Sequence, residues 1–171
     1  MNASARRLFL GLLPDDAVRD ALVAHRRLWQ WRGGRPTAPE RLHLTLHFLD
    51  LVDAAQERDL REMLAGEALA PFDLVLHTPE LWAGRTAVLR PDPHPALAAL
   101  HARLSRHVAA AGLAASRLSF KPHVTLARDA QGAAAPRAAT PILWTVRDFA
   151  LIWSRLDAPP RYELVARYGA A

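Results

Sequence analysis

Arg41-Leu42-His43-Leu44-Thr45-Leu46-His47-Phe48-Leu49 and, 80 positions further on, Phe120-Lys121-Pro122-His123-Val124-Thr125-Leu126-Ala127-Arg128 share one pattern: His, any residue, Thr, Leu. In both stretches polar and apolar residues alternate with the period of a half-buried strand. Residues two apart in a strand share a face, so His43 and Thr45 are expected to point one way. Leu42, Leu44, Leu46 and Phe48 are expected to point the other way, into a core. His123 and Thr125 repeat that arrangement, with Val124 and Leu126 turned inward. A single copy would be unremarkable in a chain with 8 histidines, where a His and a Thr can simply occupy the wet face of a strand. Two copies, each followed by Leu in a strand-like context, point to function.

Working outward, residues 6–13 read as a buried strand. Pro14, with Asp15 and Asp16 at the positive end of the helix dipole, opens a helix running to about residue 30. Gly33-Gly34-Arg35-Pro36 and Pro39 break it and lead into the first motif strand, 41–49. Asp53 caps a second helix to about residue 68. A strand from Phe72 continues toward Trp82, turns at Gly84-Arg85 and returns over 86–89. Pro93 to Gly112 is a third helix with an apolar stripe of Leu97, Leu100, Leu104 and Val108, followed by the second motif strand, 118–128. Residues 129–141 read as an irregular loop, and 142–156 and 161–168 as two closing strands. Strand, helix and motif strand thus occur twice in the same order, so two similar halves would face their motifs across one cleft.

The 171 residues, 51% of them hydrophobic, suffice for one compact unit, here taken as a single domain over 1–171. Cysteine is absent, which excludes a disulfide framework, a thiolate nucleophile and cysteine-held zinc or iron–sulfur sites, and points to the cytoplasm. Leu8 to Leu13 is too short and ends too soon, at Pro14-Asp15-Asp16, for a signal peptide, and no run is long enough to span a membrane. The formal charge is +5, and every basic residue but Lys121 is arginine. A modest arginine excess suits a phosphate-bearing partner, although an Ala- and Arg-rich composition accounts for most of it. No basic tail of a dedicated nucleic-acid arm is present.

Two facing His-Thr pairs suit displacement at phosphorus. One imidazole can take the proton of the attacking oxygen while the other gives one to the leaving oxygen, and Thr45 and Thr125 can hold non-bridging oxygens. The arrangement calls for no metal and no other cofactor. The paired motifs at His43 to Leu46 and His123 to Leu126 resemble the signature of the two-histidine (2H) phosphoesterase superfamily. Within it the chain is most similar to the bacterial LigT-type RNA 2',3'-cyclic phosphodiesterases, long labelled 2'-5' RNA ligases. The similarity runs through Arg7-Leu8-Phe9, Leu42 to Leu49, Pro122 to Arg128, Ser154-Arg155-Leu156 and Arg161-Tyr162-Glu163.

The resemblance implies an α+β, bilobal fold: two pseudo-symmetric lobes of antiparallel sheet, helices packed outside, and a central cleft. It implies hydrolysis of RNA 2',3'-cyclic phosphate ends to 2'-phosphomonoesters, with His43 as the proton donor and His123 as the base. The partners expected are RNA ends or nucleotides bearing the cyclic phosphate; no membrane or obligate protein partner is expected, and the chain is expected to be a monomer. Arg128 matches the family's arginine after the second motif. By strand parity it faces away from His123 and needs a bulge to reach the cleft.

Phe9, Phe48 and Phe120 could stack a base, but apolar aromatics in strands are more often core; Lys121 reads as solvated surface, and Trp82 and Trp153 as core or rim. His25 and His101 read as structural. His47 reads as a surface histidine, at a position where the family commonly has an apolar or small residue. Three other functions stay open: zinc binding by His43 and His47 on a helix, a module that binds RNA ends without turnover, and ATP-independent 2'-5' ligation, the same chemistry reversed.

Overall fold

The alternation along the two motif segments is realised in a computed structural model that describes residues 5–114 and 119–169 as a mixed α+β architecture. Its strands are β1 (Arg6–Leu12), β2 (Arg35–Pro36), β3 (Leu44–Val52), β4 (Phe72–Trp82), β5 (Thr86–Pro91), β6 (Val124–Arg128), β7 (Ile142–Val146), β8 (Phe149–Arg155) and β9 (Arg161–Tyr168). The helices are α1 (Asp16–Arg26), α2 (Ala54–Leu64) and α3 (Pro95–Ala110). All pairings are antiparallel, in the order β7-β4-β5-β6-β3-β1-β8-β9, with β2 added beside β6.

The expected repeat is visible in that order. The motif strands β3 and β6 are central neighbours; β1 flanks one and β5 the other, and two further strands complete each half. The two motif strands meet at one residue pair, Leu44 opposite Val124, and β2 of the first half adds two more pairs to β6. They are also braced across the middle: α1, from the first half, packs on β7 of the second, and α3, from the second, packs on β3 of the first.

Local chemistry fixes the ends of these elements. The Asp15 carboxylate accepts from the Val18 N–H at 2.8 Å and starts α1. Asp53 accepts from the Ala55 and Gln56 N–H groups while Gln56 returns a bond to the Asp53 N–H, a complete capping box for α2. Ala83 and Gly84 both take positive φ, 47° and 65°, and close the β4–β5 hairpin as its handedness requires. The α3 stripe of Leu97, Leu100, Leu104 and Val108 is fully buried and joins Leu8, Leu10, Leu44, Leu74 and Leu89 in one core.

Three expectations need correction. The closing run 142–156 is two strands, and β7 and β8 belong to opposite sides of the sheet. Six strand spacings separate them, about 29 Å in a flat sheet, whereas Val146 to Phe149 can span only about 11 Å. The sheet therefore curls strongly enough to bring its two flanks together. Second, the strand expected at 118–128 begins at Val124; its expected start, Leu118, lies outside the described residues. Third, Phe48 does not enter the core but is 48% exposed, and the cause is a bulge. Leu10 pairs with His47 and Gly11 with Thr45, which leaves Leu46 as an extra residue and reverses the parity beyond it. No helix among the described residues is long and apolar enough to cross a membrane.

Candidate active site

His43 leaves the short turn at Pro39–Arg41 just before β3 and sits partly buried. Its Nδ1–H donates to the Arg41 carbonyl at 2.7 Å, which in the neutral ring makes Nε2 the acceptor. The Thr45 hydroxyl, two residues along the same face, donates to that Nε2 at 3.0 Å. Phe9 packs on the ring at 4.8 Å and Tyr162 meets it edge-on at 5.2 Å, with the Arg41 guanidinium over the Tyr162 ring.

The second half builds the same device from different residues. His123 Nδ1–H donates to the Lys121 carbonyl at 2.7 Å, again two residues upstream. Trp82 packs on the imidazole at 4.4 Å, and its indole N–H is held by Glu80, which also pairs with Arg90 at 3.0 Å. Antiparallel pairing of Leu44 with Val124 sets Thr45 on the His123 side of the seam, and Thr45 and His123 both line a cavity of about 350 Å³. Phe48, His101, Phe120 and Lys121 form much of its remaining wall.

Electrostatics keep both rings neutral near pH 7. Burial pushes the His43 pKa down to about 4; the Arg41 carbonyl opposes this, and the charges of His123, Arg41 and Arg128 add to it. His123 is lowered by burial too, against the pull of the Lys121 carbonyl and with help from Arg128 and Arg90.

The bulge that Arg128 requires is present. Ala87 pairs with Ala127 and Val88 with Thr125, so Leu126 is the extra residue of β6. Leu126 and Ala127 are both buried, and Arg128 emerges on the face of His123 and Thr125. The matching bulge at Leu46 makes Phe48 the counterpart of Arg128: one motif places an arginine on the cleft face and the other an aromatic ring.

The same bulge corrects the expectation for His47, which is 4% exposed and not a surface residue. It turns toward α3, where its Nε2–H donates to the His101 carbonyl at 3.0 Å, with Ser105 Oγ 3.2 Å away. His43 and His47 therefore diverge to opposite faces of one strand and do not form the helical i, i+4 pair that zinc binding assumed. His101 stacks between His47 and Phe120, at 4.2 and 3.9 Å, and so contributes to the cleft wall as well as to structure. Sequence reasoning assigned no contact to Tyr162 or Trp82. Tyr162 lay in a segment that carried the family resemblance, which was its one available signal.

With this geometry in hand, comparison with known proteins is direct. A family model described as the 2'-5' RNA ligase superfamily matches residues 14–158. The RNA 2',3'-cyclic phosphodiesterase of Escherichia coli (strain K12) is 35% identical over 134 residues, covering 75% of this chain and 74% of that protein. The protein of the same name from Thermus thermophilus is 33% identical, over 95% of this chain and 89% of its own. A crystal structure of E. coli LigT complexed with 3'-AMP superposes with a TM-score of 0.84 at 28% identity, covering 98% of this chain and 99% of that one.

Proposed function

This chain belongs to the 2'-5' RNA ligase superfamily, and on that premise we propose that it hydrolyses RNA 2',3'-cyclic phosphate ends to 2'-phosphomonoesters by metal-independent catalysis between His43 and His123. One observation carries the reading: two imidazoles flank one seam, each with Nδ1 tied to the carbonyl two residues upstream, so that in each ring Nε2 is the nitrogen left for proton transfer.

Water attacks phosphorus and gives a proton to neutral His123 Nε2. The bond from phosphorus to the 3' oxygen breaks, and that oxygen takes the proton carried by His43 Nε2. The phosphate stays on the 2' oxygen, and the two rings exchange protons with solvent to reset. His43, whose pKa is depressed in the free protein, becomes the donor when substrate binds. The cyclic phosphodiester is an anion, and its arrival beside the ring favours the imidazolium. The Thr45 hydroxyl, which holds Nε2 in the free protein, then turns to one non-bridging oxygen; Thr125 and Arg128 hold the other from the second motif. Fixed donors aimed at those oxygens stabilise the charge that grows on them in the transition state. The terminal base lies against the aromatic wall formed by Phe48 and Phe120.

The test is hydrolysis of a short RNA with a 2',3'-cyclic phosphate in excess EDTA by the wild type, His43→Ala and His123→Ala, with the phosphate position of the product determined. A 2'-phosphate from the wild type, and a loss of at least about a hundredfold in each variant, is expected. Turnover that survives both substitutions, or that needs added metal, refutes the mechanism.

A further inference from the structure

The sheet continues past the histidines in a direction that the hydrolysis itself does not use. Beyond Leu44 and Val124 the strands β3 and β6 part, and β2 takes the vacated place beside β6, with Arg35 opposite Arg128 and Pro36 opposite Ala127. Under β2 and the end of α1 lies a cavity of about 550 Å³, lined by Arg26, Arg27, Trp31, Gly33, Gly34 and Pro36. In an extended strand the path from His123 to Ala127, which lines this cavity from the face of β6 opposite His123, is about 13 Å. A nucleotide held by the histidines ends short of it, and a chain of a few nucleotides does not.

Trp31 is fixed in place before any ligand arrives. Its indole N–H donates to the Arg26 carbonyl at 3.1 Å, and Trp29, buried behind it, stacks on it at 5.4 Å and 16°. One face is thereby covered, while the ring still lines the cavity. Arg26 and Arg27 bring two cations side by side, and the Arg26 pKa is lowered by burial and by its neighbour's charge. Neither has a carboxylate partner among the described residues: Arg26 donates to the Thr37 carbonyl, and Arg27 is exposed. The nearby Arg35 and Arg85 differ, since both pair with the Asp129 carboxylate. Gly34 passes so close to the motif strand that a Cβ would sit 3.2 Å from the Arg128 carbonyl oxygen, which joins this cavity to the end of β6.

We propose that this cavity binds the single-stranded RNA that precedes the cyclic phosphate end, with a base on Trp31 and the backbone phosphates on Arg26 and Arg27. A preorganised indole beside unneutralised arginines is the chemistry of sequence-tolerant single-strand binding. An acidic peptide would satisfy the cations but would leave the indole, and the continuity with Arg128, without a role. The inference rests on the hydrolysis reading for its substrate, and it makes the protein selective for an RNA end over a free cyclic nucleotide.

The experiment compares kcat and KM for a nucleoside 2',3'-cyclic phosphate and for a short RNA ending in the same nucleotide, in the wild type, Arg27→Glu, Trp31→Phe and Trp31→Ala. The KM for RNA should rise about fivefold or more in Arg27→Glu and Trp31→Ala, and less in Trp31→Phe, with the KM for the mononucleotide unmoved. Equal changes for both substrates, or none for either, overturn the site. Anisotropy of a labelled RNA with an unreactive 3'-phosphate end is measured on the same proteins. If the wild type cleaves neither substrate the hydrolysis reading fails, and this binding decides the site separately: weaker binding in Arg27→Glu and Trp31→Ala supports it, and unchanged or absent binding overturns it.

Discussion

Replacing His101 with alanine removes the middle ring of a three-ring stack that ties the first motif strand to the segment entering the second. His47 lies 4.2 Å away at 14°, and Phe120 lies 3.9 Å away at 9° on the opposite face. Each aromatic contact contributes about 0.5–1.5 kcal/mol beyond the area it buries, so the pair is worth about 1–3 kcal/mol, and the gap left by truncation adds to the loss. For a chain of this length that is a fall in Tm of roughly 2–12 °C.

Activity should fall as well, by a route that stability alone does not explain. Phe120 adjoins Lys121, whose carbonyl holds His123 Nδ1, so a loosened Phe120 blurs the aim of His123 and lowers kcat more than it raises KM. His101→Phe keeps both contacts and should restore Tm and kcat together. It should also outlast the wild type at pH 5, because it removes a group whose pKa burial and the His47 charge push down to about 4. Thermal unfolding and steady-state kinetics on the two variants provide the check. An alanine variant with wild-type Tm and kcat, or a phenylalanine variant no better than alanine, refutes the reasoning.

The bell-shaped pH profile of kcat/KM should lie on the acid side of the ordinary imidazole value of about 6.5, because both His43 and His123 are lowered in the free protein; that of kcat should lie higher, since bound phosphate raises them. An alkaline kcat/KM optimum would count against this. Stability should be complete above the unfolded histidine pKa and decline as pH falls from about 6.5 toward 4, since the unfolded chain then binds protons that folded His43 and His101 do not. Equal Tm values at pH 7 and 4.5 would contradict it. Arg128→Ala should raise KM about 10- to 100-fold through loss of a charge-assisted bond, with Arg128→Lys recovering only part; kinetics indistinguishable from wild type would remove Arg128 from the cleft. Asp53→Ala breaks the capping box of α2 and should cost about 1 kcal/mol in urea unfolding with kinetics unchanged; an unaltered midpoint would show that the cap is idle.

The repeat of strand, helix and motif strand was legible because periods of two and 3.6 residues were written plainly around both motifs. The repeat implied one shared cleft, but not that the motif strands would be hydrogen-bonded neighbours at the centre of one sheet. What the sequence hid was backbone register. Nothing in Leu44 to Leu49 or Val124 to Arg128 marks Leu46 or Leu126 as an extra residue, because a bulge is chosen by the neighbouring strand and needs no glycine here. That one unseen choice decided the fate of Phe48, His47 and Arg128 together. The break between β7 and β8 was masked in the same way: Val146-Arg147-Asp148-Phe149 contains no Gly or Pro, and it is the curl of the sheet that turns the chain. Trp82 and Tyr162 reach the histidines from distant strands, a proximity that no local pattern encodes.

The pairing of Leu44 with Val124 has a mechanical consequence. The halves are joined there, joined again where β2 lies beside β6, and clasped by α1 on β7 and α3 on β3. His43 and His123 each precede a residue of the central pair by one position, so the spacing of the two proton carriers is set by a seam fastened on both sides and not by the loops around it.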